Sequence, residues 1–160
     1  MRKTIVLSLL ILAFAGTIFG QHTLIYTNSD VLFNQGKELF TQRKYAASYR
    51  SFEAYLKSTT AIQAGQTQEA EFYMAANAYE LRQEDAALRL ENYILQHPYT
   101  PFSDRTNVML GMLRYEKKNY KQALTFFNQV KEKHLGNRER VDFLFCSALL
   151  FVAASSIPAV

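Results

Sequence analysis

LGMLRYEKKNYKQALTFFNQV, from Leu110 to Val130, contains two apolar patterns of helical length on either side of the short polar break KKN. In each half the apolar residues recur three and four positions apart, which is the spacing of an amphipathic helix. A break this short leaves room only for a tight turn, so the two helices are expected to pack as an antiparallel hairpin. The stretch contains no nucleophile motif, metal-ligand cluster or phosphate-binding loop.

The same helix–turn–helix pattern occurs twice more upstream, at Leu32–Leu56 and at Phe72–Pro98. Small residues recur in each first helix and near the start of each second helix, and a large residue follows four positions later. A small side chain lets two helices approach closely, and the large one fills the groove beside it. The matched positions are Gly36, Ala76 and Gly111 in the first helices, Ser48, Ala86 and Ala123 in the second, and then Phe52, Leu90 and Phe127.

This pattern resembles the tetratricopeptide repeat, whose units are ~34 residues long. The resemblance is carried by consensus-like residues in the third unit and by one closing proline in the second: Leu110, Gly111, Tyr120, Ala123, Phe127 and Pro98. Ser48 departs from the usual alanine, and the second unit needs about two residues deleted from its turn. The resemblance implies an all-α chain, folded as a right-handed α-solenoid of antiparallel hairpins. The repeats would span about 29–62, 69–100 and 104–137 within a domain at 21–140.

The N-terminal segment has the three parts of a secretory signal peptide. Arg2 and Lys3 are followed by an apolar run and small residues, and cleavage is expected before Gln21 or after Ala15. An uncleaved anchor helix is the alternative, although the apolar run is shorter than the ~20 residues of a membrane span. We therefore predict a signal peptide at 1–20 and an exported protein, in the periplasm or associated with the outer membrane. No cysteine lies near the cleavage region, which argues against a lipid anchor.

Charge and side-chain chemistry argue against several function classes. Without Arg2 and Lys3 the chain has 16 basic and 14 acidic residues, a net charge of +2, which gives no electrostatic case for nucleic acid. The three histidines are far apart and have no second ligand at metal-binding spacing. We therefore predict a non-enzyme without metal or cofactor, in which Cys146 is a buried thiol.

The C-terminal segment at 141–160 has no charged residue after Asp142. It is interpreted as the first helix of an incomplete fourth repeat. A membrane-associating apolar tail and a helix covered by a partner or a second copy remain as alternatives. The connector HPYTPFSDRT resembles those of exported cell-envelope members of the family, and its Ser103 and Asp104 are expected to cap the following helix.

The resemblance implies a protein–protein interaction scaffold or adaptor of the cell envelope, because first helices of such repeats line a concave groove that holds a peptide or protein partner. The alternative is the N-terminal repeat portion of a longer exported enzyme or transport component. Asn77 and Arg105 are expected to be exposed, whereas core packing is an open alternative for Phe33, Phe40 and Val108. The groove positions carried over by alignment are Phe33, Lys37, Phe40, Tyr73, Asn77, Glu80, Arg105, Val108, Met112 and Tyr115.

Overall fold

The computed structural model describes residues 29–58 and 64–155, with side chains as far as residue 150. The predicted signal peptide lies outside the described residues. Seven α-helices and one 3₁₀ turn make up the described part, which contains no strand, so the all-α prediction is confirmed there. They are α1 Ser29–Thr41, α2 Tyr45–Ser58, α3 Ala64–Glu80, α4 Ala86–Gln96, α5 Ser103–Glu116, α6 Tyr120–Phe127, the 3₁₀ turn Glu132–His134, and α7 Asn137–Ser155.

Short turns join α1 to α2, α3 to α4, and α5 to α6. Each contains one residue with a left-handed backbone: Arg43 (φ 59°), Arg82 (φ 56°) and Lys118 (φ 59°). In each turn the left-handed residue's N–H bonds the carbonyl three residues back, and the next N–H bonds the carbonyl five residues back. This is the Schellman arrangement, which satisfies the last carbonyls of a helix. It reverses the chain within a few residues.

Small residues lie where the helices of a pair approach each other. A Cβ atom added at Gly36 would lie 2.8 Å from the Phe52 ring, and one at Gly111 would overlap the Phe127 ring. In the second pair, Ala76 and Leu90 are fully buried in one cluster. The contacts predicted from the recurring small and large residues are therefore present in the described helices.

Each helix contacts the next one along the chain, and alternate helices also meet: α1 with α3, α3 with α5, and α5 with α7. Three apolar clusters fill the spaces between them. The first is built around Phe52 and Tyr55, the second around Phe72, Leu90 and Leu110, and the third joins α6 to α7. The core thus runs along the chain as a series of local clusters.

The last helix, α7, buries one side and exposes the other. Cys146 and Leu150 are buried against Ala123 and Phe127, so the predicted burial of the thiol is confirmed. Burial also raises the pKa of Cys146, with further contributions from Asp142 and Glu116. The opposite side presents exposed apolar residues at Val141, Leu144, Phe145 and Leu149. Among the described residues, no helix combines the length and apolarity needed to span a membrane.

The start of α5 differs from the prediction. Phe102 occupies the N-cap position, and no side chain makes a capping hydrogen bond to the helix there. Asp104 instead points toward the segment that precedes α7, where its Oδ1 accepts a hydrogen bond from the Lys131 N–H at 2.8 Å. The expectation that Ser103 and Asp104 cap this helix is therefore wrong, because the carboxylate binds a distant backbone group.

Candidate functional site

A concave groove of about 620 Å³ lies between the odd-numbered helices. Side chains of α1, α3, α5 and α7 line it, together with the α1–α2 turn, the first residue of α2 and the segment before α7. Its lining residues are Phe40, Thr41, Arg43, Tyr45, Tyr73, Tyr79, Glu80, Arg105, Val108, Met109, Met112, His134, Gly136, Asn137, Arg138, Glu139 and Asp142. This volume is within the range of 300–1,000 Å³ that is typical of ligand pockets.

One wall of the groove is a row of aromatic rings. The Phe40 ring lies 5.4 Å from that of Tyr45 and 5.0 Å from that of Tyr73, both in edge-to-face geometry. Tyr73 in turn stacks parallel on the buried Phe52 ring at 5.1 Å. Because the row is anchored on a core ring, its position is fixed before any ligand arrives.

On the α5 side, the floor of the groove is apolar and its rim carries charged side chains. Val108 and Met109 are buried and Met112 is half-buried, and methionine adapts its shape to varied apolar ligands. Arg105 forms an ion pair with Glu139 of α7 at 2.5 Å, and its guanidinium lies 4.8 Å from the centre of the Phe72 ring. The groove therefore combines an apolar floor with a paired charged rim.

Tyr79 presents a neutral phenol to the groove. Its pKa is raised to about 12, first because burial disfavours the phenolate, and the nearby Arg82 only partly opposes this. The hydroxyl therefore keeps its proton over the physiological range and can donate a hydrogen bond to a peptide carbonyl.

Six of the ten predicted groove residues line this groove: Phe40, Tyr73, Glu80, Arg105, Val108 and Met112. Of the three residues for which core packing was left open, Phe33 packs in the core against Phe52 and Tyr55. Lys37 lies outside the groove and pairs with Glu69 at 2.7 Å. Tyr115 is half-buried against the third apolar cluster and contacts the Tyr120 ring at 5.6 Å.

The expectation that Asn77 is exposed is wrong. Its side chain is fully buried, and its Nδ2 donates to Ser48 Oγ at 2.9 Å. Ser48 Oγ in turn donates to the Gly36 carbonyl at 2.9 Å. The short chain of hydrogen bonds thus ties α3 to the first hairpin, so Asn77 serves packing between pairs. Arg105 is also less exposed than expected, because α7 covers it through Glu139.

The remaining lining residues were missed by the sequence alignment. Tyr45 follows a turn, and Tyr79 lies three residues after the matched Ala76, so helical spacing could have placed Tyr79 on an adjoining face. Residues 134–142 had no such signal, because their position depends on how α7 crosses the earlier helices.

A second cavity of about 250 Å³ adjoins the groove beside Asp104 and His134. The nearly buried Asp104 accepts from Lys131 N and bonds His134 Nδ1 at 2.7 Å. A similar pair joins His97 Nε2 to Glu71 at 2.5 Å, at the end of the preceding helix pair. Both histidines therefore hold connecting segments against first helices. Among the described residues, no group of three or more His, Cys, Asp and Glu side chains could hold a metal ion.

Comparison with known proteins gave no family assignment. No protein-family model, curated protein or solved structure matched the chain. The resemblance to tetratricopeptide repeats accordingly rests on the residues and spacings of this sequence alone.

Proposed function

We propose that this chain is a non-catalytic protein-interaction scaffold whose concave groove binds a peptide segment of a partner protein. In this proposal the helix pairs form a right-handed solenoid of the tetratricopeptide type. The protein is exported and acts as an adaptor in the bacterial cell envelope.

The observation that carries the proposal is the convergence of first-helix residues on one groove. Phe40 from α1, Tyr73 and Glu80 from α3, and Arg105 and Met112 from α5 are far apart in sequence but line the same concavity. Aromatic rings and methionines beside a few polar groups are typical of surfaces that recognise peptides through apolar anchors.

Preorganisation supports binding to this surface. Val108 is 4% exposed and Tyr73 stacks on a fully buried ring, so the lining side chains are already ordered by core contacts. Binding then costs little side-chain entropy on this side of the interface. A segment with an apolar anchor for the rings, and with backbone groups for Tyr79 and the charged rim, would fit the groove.

A displayed random-peptide library, selected against the full chain, tests the proposal. The test variant carries Arg43→Glu and Asp142→Lys, which reverses two exposed charges of the groove and leaves the net charge unchanged. The matched control carries Arg50→Glu and Glu84→Lys, both exposed and both away from the groove lining.

We expect peptides that bind the unmodified chain to lose at least roughly tenfold in affinity for the groove variant, because repositioned charges change electrostatic complementarity. The control variant should bind as the unmodified chain does, and both variants should keep the same helical circular dichroism. Selected peptides that bind both variants equally would contradict the groove as the binding site.

A further inference from the structure

The two halves of α7 are held in different ways. In its second half, Cys146 and Leu150 are 3% and 1% exposed and pack on Ala123 and Phe127 of α6. Phe143 adds an edge-to-face contact with the Phe127 ring at 5.7 Å. Residues 143–150 are therefore held by apolar packing.

The first two turns, residues 137–142, are held mainly by charged side chains. Glu139 pairs with Arg105 at 2.5 Å, and Arg140 lies 3.6 Å from Glu132. Val141 is 65% exposed, so it adds little apolar contact to this half. Segments with few buried apolar contacts belong to the less stable parts of a protein.

Arg138 is the residue of this half that reaches the opposite side of the groove. Its guanidinium lies 3.6 Å from Glu80 at the end of α3. The pKa of Arg138 is raised, first by hydrogen bonding to the side chain of Tyr45 in α2 and then by the charge of Glu80. The contact with Glu80 thus joins the start of α7 to the end of α3, more than fifty residues earlier in the chain.

We propose that Arg138 is a latch that holds the start of α7 against the groove, next to the Glu139–Arg105 pair. Release of Arg138 weakens this hold, so that this half of the helix moves away more often and widens the groove. Residues 143–150 stay packed on α6 and act as the fixed end of the motion. The latch does not depend on the proposed peptide function, because the groove would open and close in the same way without a partner.

The contacts of Arg138 suit a reversible closure. The Arg138 side chain is 59% exposed and lies 3.6 Å from Glu80, which is long for an ion pair, whereas the Glu80 side chain is only 18% exposed. The attraction is therefore modest and partly screened by salt. A weak bond across a preformed groove allows a minor open population at equilibrium. Raising the salt concentration should increase that population, since ions reach the exposed Arg138 side of the pair.

Hydrogen exchange of the full chain measures the opening, with Arg138→Gln as the test variant. The control is Arg82→Gln, which removes another exposed arginine pair, to Glu116 at 2.5 Å, that does not involve α7. We expect amides 140–143 to exchange roughly fivefold faster in the Arg138 variant, while amides 146–150 change little. High salt should also speed exchange at these amides in the unmodified chain, and by a smaller factor in the Arg138 variant, which has lost the Arg138 pair but keeps those of Glu139 and Arg140.

A distance measurement provides the second readout. Spin labels at Lys44→Cys and Val141→Cys, in a Cys146→Ala background that keeps the buried site apolar, report the separation of the α1–α2 turn from the start of α7. The Arg138→Gln variant should broaden this distance distribution toward longer values. Unchanged distances and unchanged exchange at 140–143 would overturn the latch, and so would an equal acceleration of every helix, which would show a purely structural role.

Discussion

At the scale of single residues, the close approach of paired helices depends on two glycines that face aromatic rings. Gly111 lies against the buried Phe127 ring, and Gly36 against Phe52. Glycine lowers helix stability by roughly 1 kcal/mol relative to alanine, so its presence inside α1 and α5 needs a packing reason. The rings provide that reason, because they occupy the space that a Cβ atom would need.

Gly111→Ala should lower the free energy of unfolding by about 1–2 kcal/mol, because the cost of overpacking exceeds the gain in helix propensity. Gly65→Ala is the matched control, since a Cβ atom at Gly65 in α3 would meet no other atom within 4 Å. That substitution should raise stability by roughly 0.5 kcal/mol. Urea unfolding of both variants checks the pair, and equal effects at the two sites would contradict the role assigned to Phe127.

At the scale of elements, the three hairpin turns share one backbone motif but lack its preferred residue. The left-handed position is most often glycine, because a side chain is strained there. This chain has Arg43, Arg82 and Lys118 at those positions instead. The turns are therefore set by the packing of the helices that they join, at a local energetic cost.

Lys118→Gly should raise stability by about 0.5–1 kcal/mol, because glycine adopts the left-handed conformation without strain. The neighbouring Lys117 has φ −79° and ψ 7°, a conformation that any residue accepts. Lys117→Gly should therefore lower stability by about 0.5 kcal/mol through the entropy of the unfolded chain. Thermal unfolding of the two variants should shift in opposite directions, and a decrease in both would show that the turn gains nothing from glycine.

At the scale of the whole molecule, two tyrosines make the stability of the fold depend on pH in the alkaline range. The pKa values of Tyr79 and Tyr93 are each raised to about 12, and burial is the largest cause at both. Tyr93 also bonds the Thr100 hydroxyl at 2.6 Å, which lowers its pKa and only partly offsets burial.

Because the folded state holds these protons more tightly than the unfolded chain does, their contribution is fully present below pH about 10. It should be lost as the pH rises through about 12. Urea unfolding between neutral and strongly alkaline pH checks this, with Tyr93→Phe as the comparison. The variant should be less stable near neutrality, because the Thr100 bond is lost, but its stability should fall less steeply above pH 10. If stability fell equally steeply with pH in both proteins, Tyr93 would not be a source of the alkaline loss.

The helices, their pairing and much of the core could be predicted from the sequence. Helical periodicity and the recurring small and large residues are local properties, so they indicated the contacts of Gly36 with Phe52 and of Gly111 with Phe127. The groove positions were instead carried over from the resemblance to tetratricopeptide repeats, and of these Phe40 and Met112 line the groove.

Only the tertiary structure decided which polar residues are buried and which part of α7 forms a wall of the groove. Asn77 is buried because a neighbouring helix pair brings Ser48 to it. Asp104 lies in the first turn of α5 but does not cap the helix, because its carboxylate bonds Lys131 and His134. The sequence by itself determined the repeated helices, because helical periodicity depends only on residues a few positions apart. Arg138 meets Glu80 only through the accumulated packing angles of the helices between them, which no local pattern specifies.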